Sequence, residues 1–129
     1  MIVVDASVAA FALLDEGSTG EICREAMRAD PQWMVPEHWL IEIMSVIRGN
    51  LLGGKISAEQ ADFAAGAAAE LNPTMVATRL LAPRIWALRA TLSCYDAAYV
   101  AAAERCGCAL VTADGRLAPG PRCPVVVIA

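Results

Sequence analysis

The chain has 129 residues, 57 % of them hydrophobic and 19 % charged, with a net charge of −4. That length suits a single domain spanning residues 1–129, and the apolar content excludes a disordered chain, while the uninterrupted apolar runs Val8 to Leu14 and Ala97 to Ala103 fall far below the ~18 residues of a bilayer-spanning helix. The negative balance excludes a broadly basic nucleic-acid footprint and confines any RNA contact to local clusters, although nine of the ten basic residues are arginine, whose planar fork suits phosphate.

Met1 to Val4 reads as a strand, Ala6 to Leu14 as a helix, and Ser18 to Ala29 as a second helix with Ile22, Cys23, Ala26 and Met27 on one face. Asp30-Pro31 breaks that helix. Trp33 to Val35 is a short strand; Trp39 to Leu52 is a helix with Leu40, Ile43, Met44, Ile47 and Leu51 as its apolar stripe, stopped by Gly53-Gly54. Ser57 and Gln60 have capping-box spacing, opening a helix to about Leu71. Asn72 to Val76 reads as a third strand, Pro83 to Leu92 as a helix with proline in its first turn, and Ser93 to Cys106 as a helix so apolar that it must be largely buried. Gly107 ends it; Ala109 to Thr112 and Val125 to Ile128 are the last strands, separated by the Pro- and Gly-rich APGPRCP loop. Alternating apolar strands and helices predict an α/β fold, a parallel sheet covered on both faces.

Five cysteines, Cys23, Cys94, Cys106, Cys108 and Cys123, lack CxxC spacing, and His38 is the single histidine. A zinc site of the usual kind is therefore not expected, and the thiols are expected to be reduced and packed. No basic segment precedes the first apolar stretch and no small-residue cleavage site follows it, so the expected compartment is the cytoplasm.

Open parallel sheets hold their sites beyond the carboxyl ends of the strands. Asp5 follows one predicted strand and Asp114 another; Asp96 lies in the first turn of the buried helix, and Glu42 is the sole charge between Trp39 and Ile47. Each has a local alternative. Asp5 is a good helix N-cap, Asp96 completes a capping-box spacing with Ser93, Asp114-Gly115 is a turn dipeptide, and Glu42 suits a solvated flank. Together these alternatives leave unexplained why carboxylates, which repel one another, collect where the sheet would gather them, when Ser, Asn or Thr would cap as well. Hard oxygen donors with no His or Cys expected nearby point to Mg²⁺ or Mn²⁺, which generate hydroxide from water and neutralise a phosphoryl group under attack.

The segments VVDASV, PEHWLIEIMSVIRG, LSCYDAAYVAAAE and LVTADGRL, in that order and across nearly the whole chain, resemble the motifs of PIN-domain ribonucleases, especially VapC toxins of bacterial type II toxin–antitoxin pairs. The resemblance implies a parallel five-stranded sheet flanked by helices and a Mg²⁺- or Mn²⁺-dependent cut of single-stranded or loop RNA. It also implies that Asp5, Glu42, Asp96 and Asp114 hold the metal, with Thr112 and Ser7 as supporting polar residues, a homodimer, and a VapB-like antitoxin whose basic residue reaches the acids. Some relatives carry a further acid or amide a few residues after the last motif acid, where this chain has Arg116 and Leu117; Arg116 is instead the first-ranked phosphate contact. His38, four residues before Glu42, is read as a surface or capping residue, and Trp33, Trp39 and Trp86 as core or interface anchors.

Two other functions compete with an endoribonuclease toxin. A non-catalytic PIN-like interaction domain would not need four intact acids, and an aspartate-based phosphatase would want a second Asp where Ser7 stands. The predicted helix pair Ala6 to Leu14 and Ser18 to Ala29 is expected to leave a groove for an amphipathic antitoxin helix.

Overall fold

The computed structural model describes residues 1–117 and 124–128; Cys123 and most of the APGPRCP loop lie outside them. In chain order the elements are β1 (Ile2–Val4), α1 (Ala6–Leu14), α2 (Ser18–Ala29), β2 (Trp33–Pro36), α3 (Trp39–Leu52), α4 (Ala58–Glu70), β3 (Thr74–Val76), α5 (Thr78–Ala87), α6 (Cys94–Cys106), β4 (Ala109–Thr112), a 3₁₀ turn (Gly115–Leu117) and β5 (Val125–Val127). All five strands are parallel, in the order β3-β2-β1-β4-β5. The predicted α/β fold with a five-stranded parallel sheet is therefore the observed one.

Strand order carries the functional consequence. The chain steps from β1 through β2 to β3 in one direction, then crosses back to lay β4 on the other side of β1, in register Ile2 with Ala109 and Val4 with Val111. Strand order thus reverses between β1 and β4, and the connections leaving their carboxyl ends diverge to leave a crevice. Asp5 and Asp114 leave the sheet at that point.

The core forms on both sheet faces. Val3, Val4, Val35, Leu110 and Val111 come from the strands, Val8 and Ala9 from α1, Ile43 and Ile47 from α3, and an unbroken buried run, Ala97 to Ala103, from α6. That run is all Ala, Val and Tyr, so small side chains let α6 lie close against the sheet.

Several ends follow local rules. Ser57 and Gln60 form the predicted reciprocal capping box of α4, and Gly107 ends α6 in the left-handed conformation at φ 64°, which costs glycine nothing. The corner between α1 and α2 is closed by Arg24, whose Nη1 donates to the carbonyls of Ala12 and Asp15, while the Gly20 N–H donates to Asp15 Oδ2 at 2.6 Å.

Some expectations need correction. The helix predicted at Pro83 to Leu92 starts five residues earlier, at Thr78, and ends at Ala87, with Pro83 inside it. Its N-terminal acceptor is Glu37, distant in sequence, which takes the Thr78 N–H at 2.6 Å, and Leu81 and Ile85 bury one face of it. Met44 and Ile22, placed on apolar stripes, are 45 % and 42 % exposed. Trp39 fills the core, Trp33 is half-buried with its indole on the Met27 and Asp30 carbonyls, and Trp86 is exposed beneath the Arg89 guanidinium. Of the free thiols, Cys23 is buried but Cys94 is exposed.

Candidate active site

Asp5 stands just past β1 with its backbone N–H still donating to the Val111 carbonyl of β4 at 2.9 Å. Although Asp5 occupies the N-cap position of α1, its side chain makes no capping bond. The residue is only 6 % exposed. Its Oδ2 accepts from the Thr112 hydroxyl at 2.6 Å and from the Ser7 hydroxyl at 2.9 Å.

Both hydroxyls also accept. Thr112 Oγ1 takes the Asp114 N–H at 2.9 Å, and Ser7 Oγ takes the Ala113 N–H at 3.2 Å. Two hydroxyls, each donating once and accepting once, therefore tie the buried Asp5 carboxylate to the turn that carries Asp114. The helix-cap reading of Asp5 fails, because its carboxylate is instead taken by the hydroxyls of Ser7 and Thr112. Burial pushes the Asp5 carboxyl above its usual range; the two hydroxyls oppose this, and the charges of Glu42 and Asp96 add to it.

Asp96 serves two ends at once. Its backbone N–H donates to the N-cap hydroxyl of Ser93 at 3.1 Å, the bond the capping-box spacing predicted, while its side chain lines a cleft of about 650 Å³ together with Glu42 and Arg116. Partial burial raises its carboxyl above the ordinary value, with Asp114 the next cause and Glu42 a smaller one.

Glu42, in the first turn of α3, accepts at Oε1 from the Tyr99 hydroxyl at 2.8 Å. His38 Nε2 lies 2.8 Å from the same oxygen and 3.2 Å from the Tyr95 carbonyl, and its ring meets Tyr95 and Tyr99 edge-on. The Glu42 bond is the main reason His38 is raised above its ordinary value, while burial, then the charges of Glu42 and Asp5, raise the Tyr99 hydroxyl. Sequence reasoning did not single out Tyr99; His38, read as a surface or capping residue, does stand at the N-cap position of α3 but turns its ring to Glu42 rather than capping, and the spacings Asp96–Tyr99 and His38–Glu42, one helical turn each, were the available signals.

Asp114 is gripped by Arg116. The guanidinium Nε lies 3.0 Å from both carboxylate oxygens and Nη2 lies 2.6 Å from Oδ2, and this pairing holds the Asp114 carboxyl below its usual value.

The four acids thus come from β1, α3, α6 and the turn after β4. Asp5 feels Glu42 and Asp96, and Asp96 feels Glu42 and Asp114. Their donors are all oxygen, which fits a hard divalent ion, and burial with mutual repulsion is the electrostatic strain such an ion would relieve. Among the described residues no three acidic, His or Cys side chains converge as a ready-made metal cage, and Asp114 is directed to Arg116.

A parallel sheet in this order, with acids delivered to its switch point from four elements, defines the PIN domain, and the PIN-domain family model matches residues 2–119. The chain belongs to that family, and within it to the VapC ribonucleases. It is 39 % identical over 130 aligned residues to Ribonuclease VapC9 of Mycobacterium tuberculosis and to a VapC ribonuclease of Mycobacterium bovis, covering 99 % of this chain and 98 % of each relative. Ribonuclease VapC1 of M. tuberculosis is 32 % identical over 127 residues, covering 95 % and 92 %. The crystal structure of M. tuberculosis VapC20, described as a sarcin-ricin loop cleaving toxin, shares the fold with a TM-score of 0.65 at 20 % identity, covering 92 % of this chain and 93 % of that one.

Proposed function

We propose that this chain is a Mg²⁺- or Mn²⁺-dependent endoribonuclease toxin that cuts single-stranded or loop RNA and is neutralised by a VapB-like antitoxin. The observation that carries the reading is Asp5: a buried carboxylate, relieved of capping, held by two hydroxyls and within reach of the charges of Glu42 and Asp96 at the switch point of the sheet. Structural stability alone gains nothing from such an arrangement, because burial and then the neighbouring acids make Asp5 and Asp96 harder to ionise.

A bound divalent ion supplies the hydroxide nucleophile and offsets charge on the phosphoryl group. Asp5, Glu42, Asp96 and Asp114 would hold it. Thr112 and Ser7 orient Asp5, and Tyr99 and His38 orient Glu42, so that these carboxylates do not have to be ordered when the ion arrives. Arg116 holds Asp114 and would have to share it with such an ion; as the cation lining the cleft among the described residues, it is also the group suited to an RNA phosphate. Neutralisation fits two grooves of about 390 and 310 Å³ beside α1 with mixed apolar and charged walls, one bordered by Leu13 and Phe63 with Asp15 and Glu59, the other by Phe11 and Val46 with Asp15 and Lys55, which suit an amphipathic antitoxin helix. A homodimer acting in the cytoplasm completes the reading; no helix among the described residues is long and apolar enough to cross a membrane.

Asp96→Asn tests it. The capping bond uses the backbone N–H, so the variant folds while one ligand charge is lost. RNA cleavage should collapse, and Mn²⁺ should raise the melting temperature of the wild type more than that of the variant, because an ion bound only by the folded state stabilises by mass action. A variant that cuts RNA and responds to Mn²⁺ as the wild type does would refute the metal-site reading.

A further inference from the structure

The cleft beside Glu42 and Asp96 has walls that metal chemistry does not require. Ile41 of α3 is 68 % exposed and Tyr95 of α6 is 65 % exposed, yet both line it, along with the hydroxyl-bearing Ser45 and Ser93. Each apolar residue immediately precedes an acid in sequence, Ile41 before Glu42 and Tyr95 before Asp96, so helix geometry sets its position relative to that carboxylate.

Tyr95 is also braced. The His38 ring meets it edge-on, centroids 5.6 Å apart at 72°, and His38 Nε2 lies 3.2 Å from the Tyr95 carbonyl. A large exposed aromatic, held by a neighbour that also contacts Glu42, is a platform whose orientation is fixed before anything binds.

Charge decides what such a cleft can attract. Among the described residues that line it, Glu42 and Asp96 are acidic and Arg116 is the one cation, itself paired to Asp114. Without an ion, phosphate meets net repulsion there, whereas a nucleobase is neutral, has a π-face and carries edge groups that serine hydroxyls can bond. A volume of about 650 Å³ lies within the range of pockets that enclose small-molecule-sized groups.

Building on the ribonuclease reading, we infer that this cleft is a subsite for one unpaired nucleotide next to the scissile phosphate, its base stacked on Tyr95 and flanked by Ile41, its phosphate directed to Arg116. A base held this way must leave its helical stack, so the subsite itself selects single-stranded or looped RNA.

The test uses ligands that carry no phosphodiester bond and so are not cut. Adenosine 5′-monophosphate and ribose 5-phosphate share the same phosphate and ribose, so their difference reports the base. Each is titrated into the full-length protein with Mg²⁺ present and followed by NMR chemical shifts. The nucleotide should bind about 5- to 150-fold tighter, the span of base–aromatic stacking energies. Tyr95→Ala should collapse that ratio toward one, and Tyr95→Phe should preserve it. Equal binding of the two ligands by the wild type, or an unchanged ratio in Tyr95→Ala, would overturn the inference and leave Ile41 and Tyr95 as a surface for a protein partner. RNA cleavage is scored separately on unpaired and fully paired RNA: a protein that cuts both alike overturns the subsite alone, and one that stacks the nucleotide but leaves RNA intact supports the subsite and overturns the nuclease reading.

Discussion

Thr112→Val should destabilise the protein well beyond an ordinary isosteric change, because Thr112 is fully buried and uses its hydroxyl twice. Valine fills the same volume, so no cavity term enters. The bond to Asp5 Oδ2 at 2.6 Å is a hydrogen bond to a charged acceptor, worth about 1.5–3 kcal/mol, and the Asp114 N–H left without its acceptor adds about 1 kcal/mol. The sum, about 2.5–4 kcal/mol, corresponds to a fall in melting temperature of roughly 8–20 °C for a chain of this size. Thr112→Ser keeps both bonds and loses one methyl, about 1 kcal/mol. The pH dependence has a definite sign. Asp5 is already raised above 3.8 in the folded protein, so its contribution to stability is full below the unfolded value and declines as pH rises through the folded one. Losing the Thr112 bond raises the folded value further, so the deficit of the valine variant should widen from acid toward neutral pH. Urea and thermal unfolding with chelator across that range decide the matter. A valine variant that melts with the wild type at neutral pH, or a serine variant equally impaired, would refute the hydroxyl argument.

Three other outcomes follow from the same geometry. Asp5→Asn keeps an oxygen to accept from Thr112 and Ser7 while removing a buried charge, so it should abolish RNA cleavage yet melt higher than wild type in chelator near neutrality, the gap closing as pH falls toward 3.8; a lower melting temperature at neutral pH would count against electrostatic strain at the site. Arg116→Gln removes the partner that depresses Asp114, so carboxyl NMR should show its pKa rising toward the ordinary value and Mn²⁺ should saturate at lower concentration; an unmoved Asp114 resonance would exclude the competition. Gly20→Ala sits in α2, where alanine is favoured by about 1 kcal/mol over glycine, yet its Cβ would stand 1.9 Å from the Asp15 carbonyl oxygen. It should therefore destabilise by about 1–3 kcal/mol in urea unfolding, and a neutral or stabilising result would show that the α1–α2 corner yields easily.

Elements set by nearby residues were legible in the sequence. The strand ahead of Asp5, the Ser57–Gln60 capping box and the glycine stop at Gly107 each depend on residues within a few positions of one another. Helix α5 was misplaced because the group that starts it is not local: Glu37 supplies the acceptor for Thr78 across 41 positions. Pro83 then looked like a beginning, since proline favours the first turn, when it stands six residues into a helix kept in place by buried Leu81 and Ile85. Exposed Met44 and Ile22 mark the same limit, because periodicity shows that a helix has an apolar face but not how far its neighbours reach to cover it.

The acids themselves were legible, and the choice posed for each between cap and ligand divides by atom. For Asp96 the main-chain N–H completes the cap, which leaves the carboxylate among the groups that line the cleft. Asp5 has the N-cap position without the N-cap bond, since its carboxylate is already taken by hydroxyls from Ser7 and, 107 positions away, Thr112. No sequence window spans that contact. It follows from strand order, because only when β4 lies beside β1 does the hydroxyl at the end of one strand reach the acid at the end of the other. The same dependence explains why Arg116 could be ranked as a phosphate contact but not seen as the partner of Asp114. Two residues apart along an unassigned turn, they meet because the 3₁₀ geometry of Gly115–Leu117 folds the guanidinium back onto the carboxylate, pairing Asp114 with the one cation that lines the cleft among the described residues.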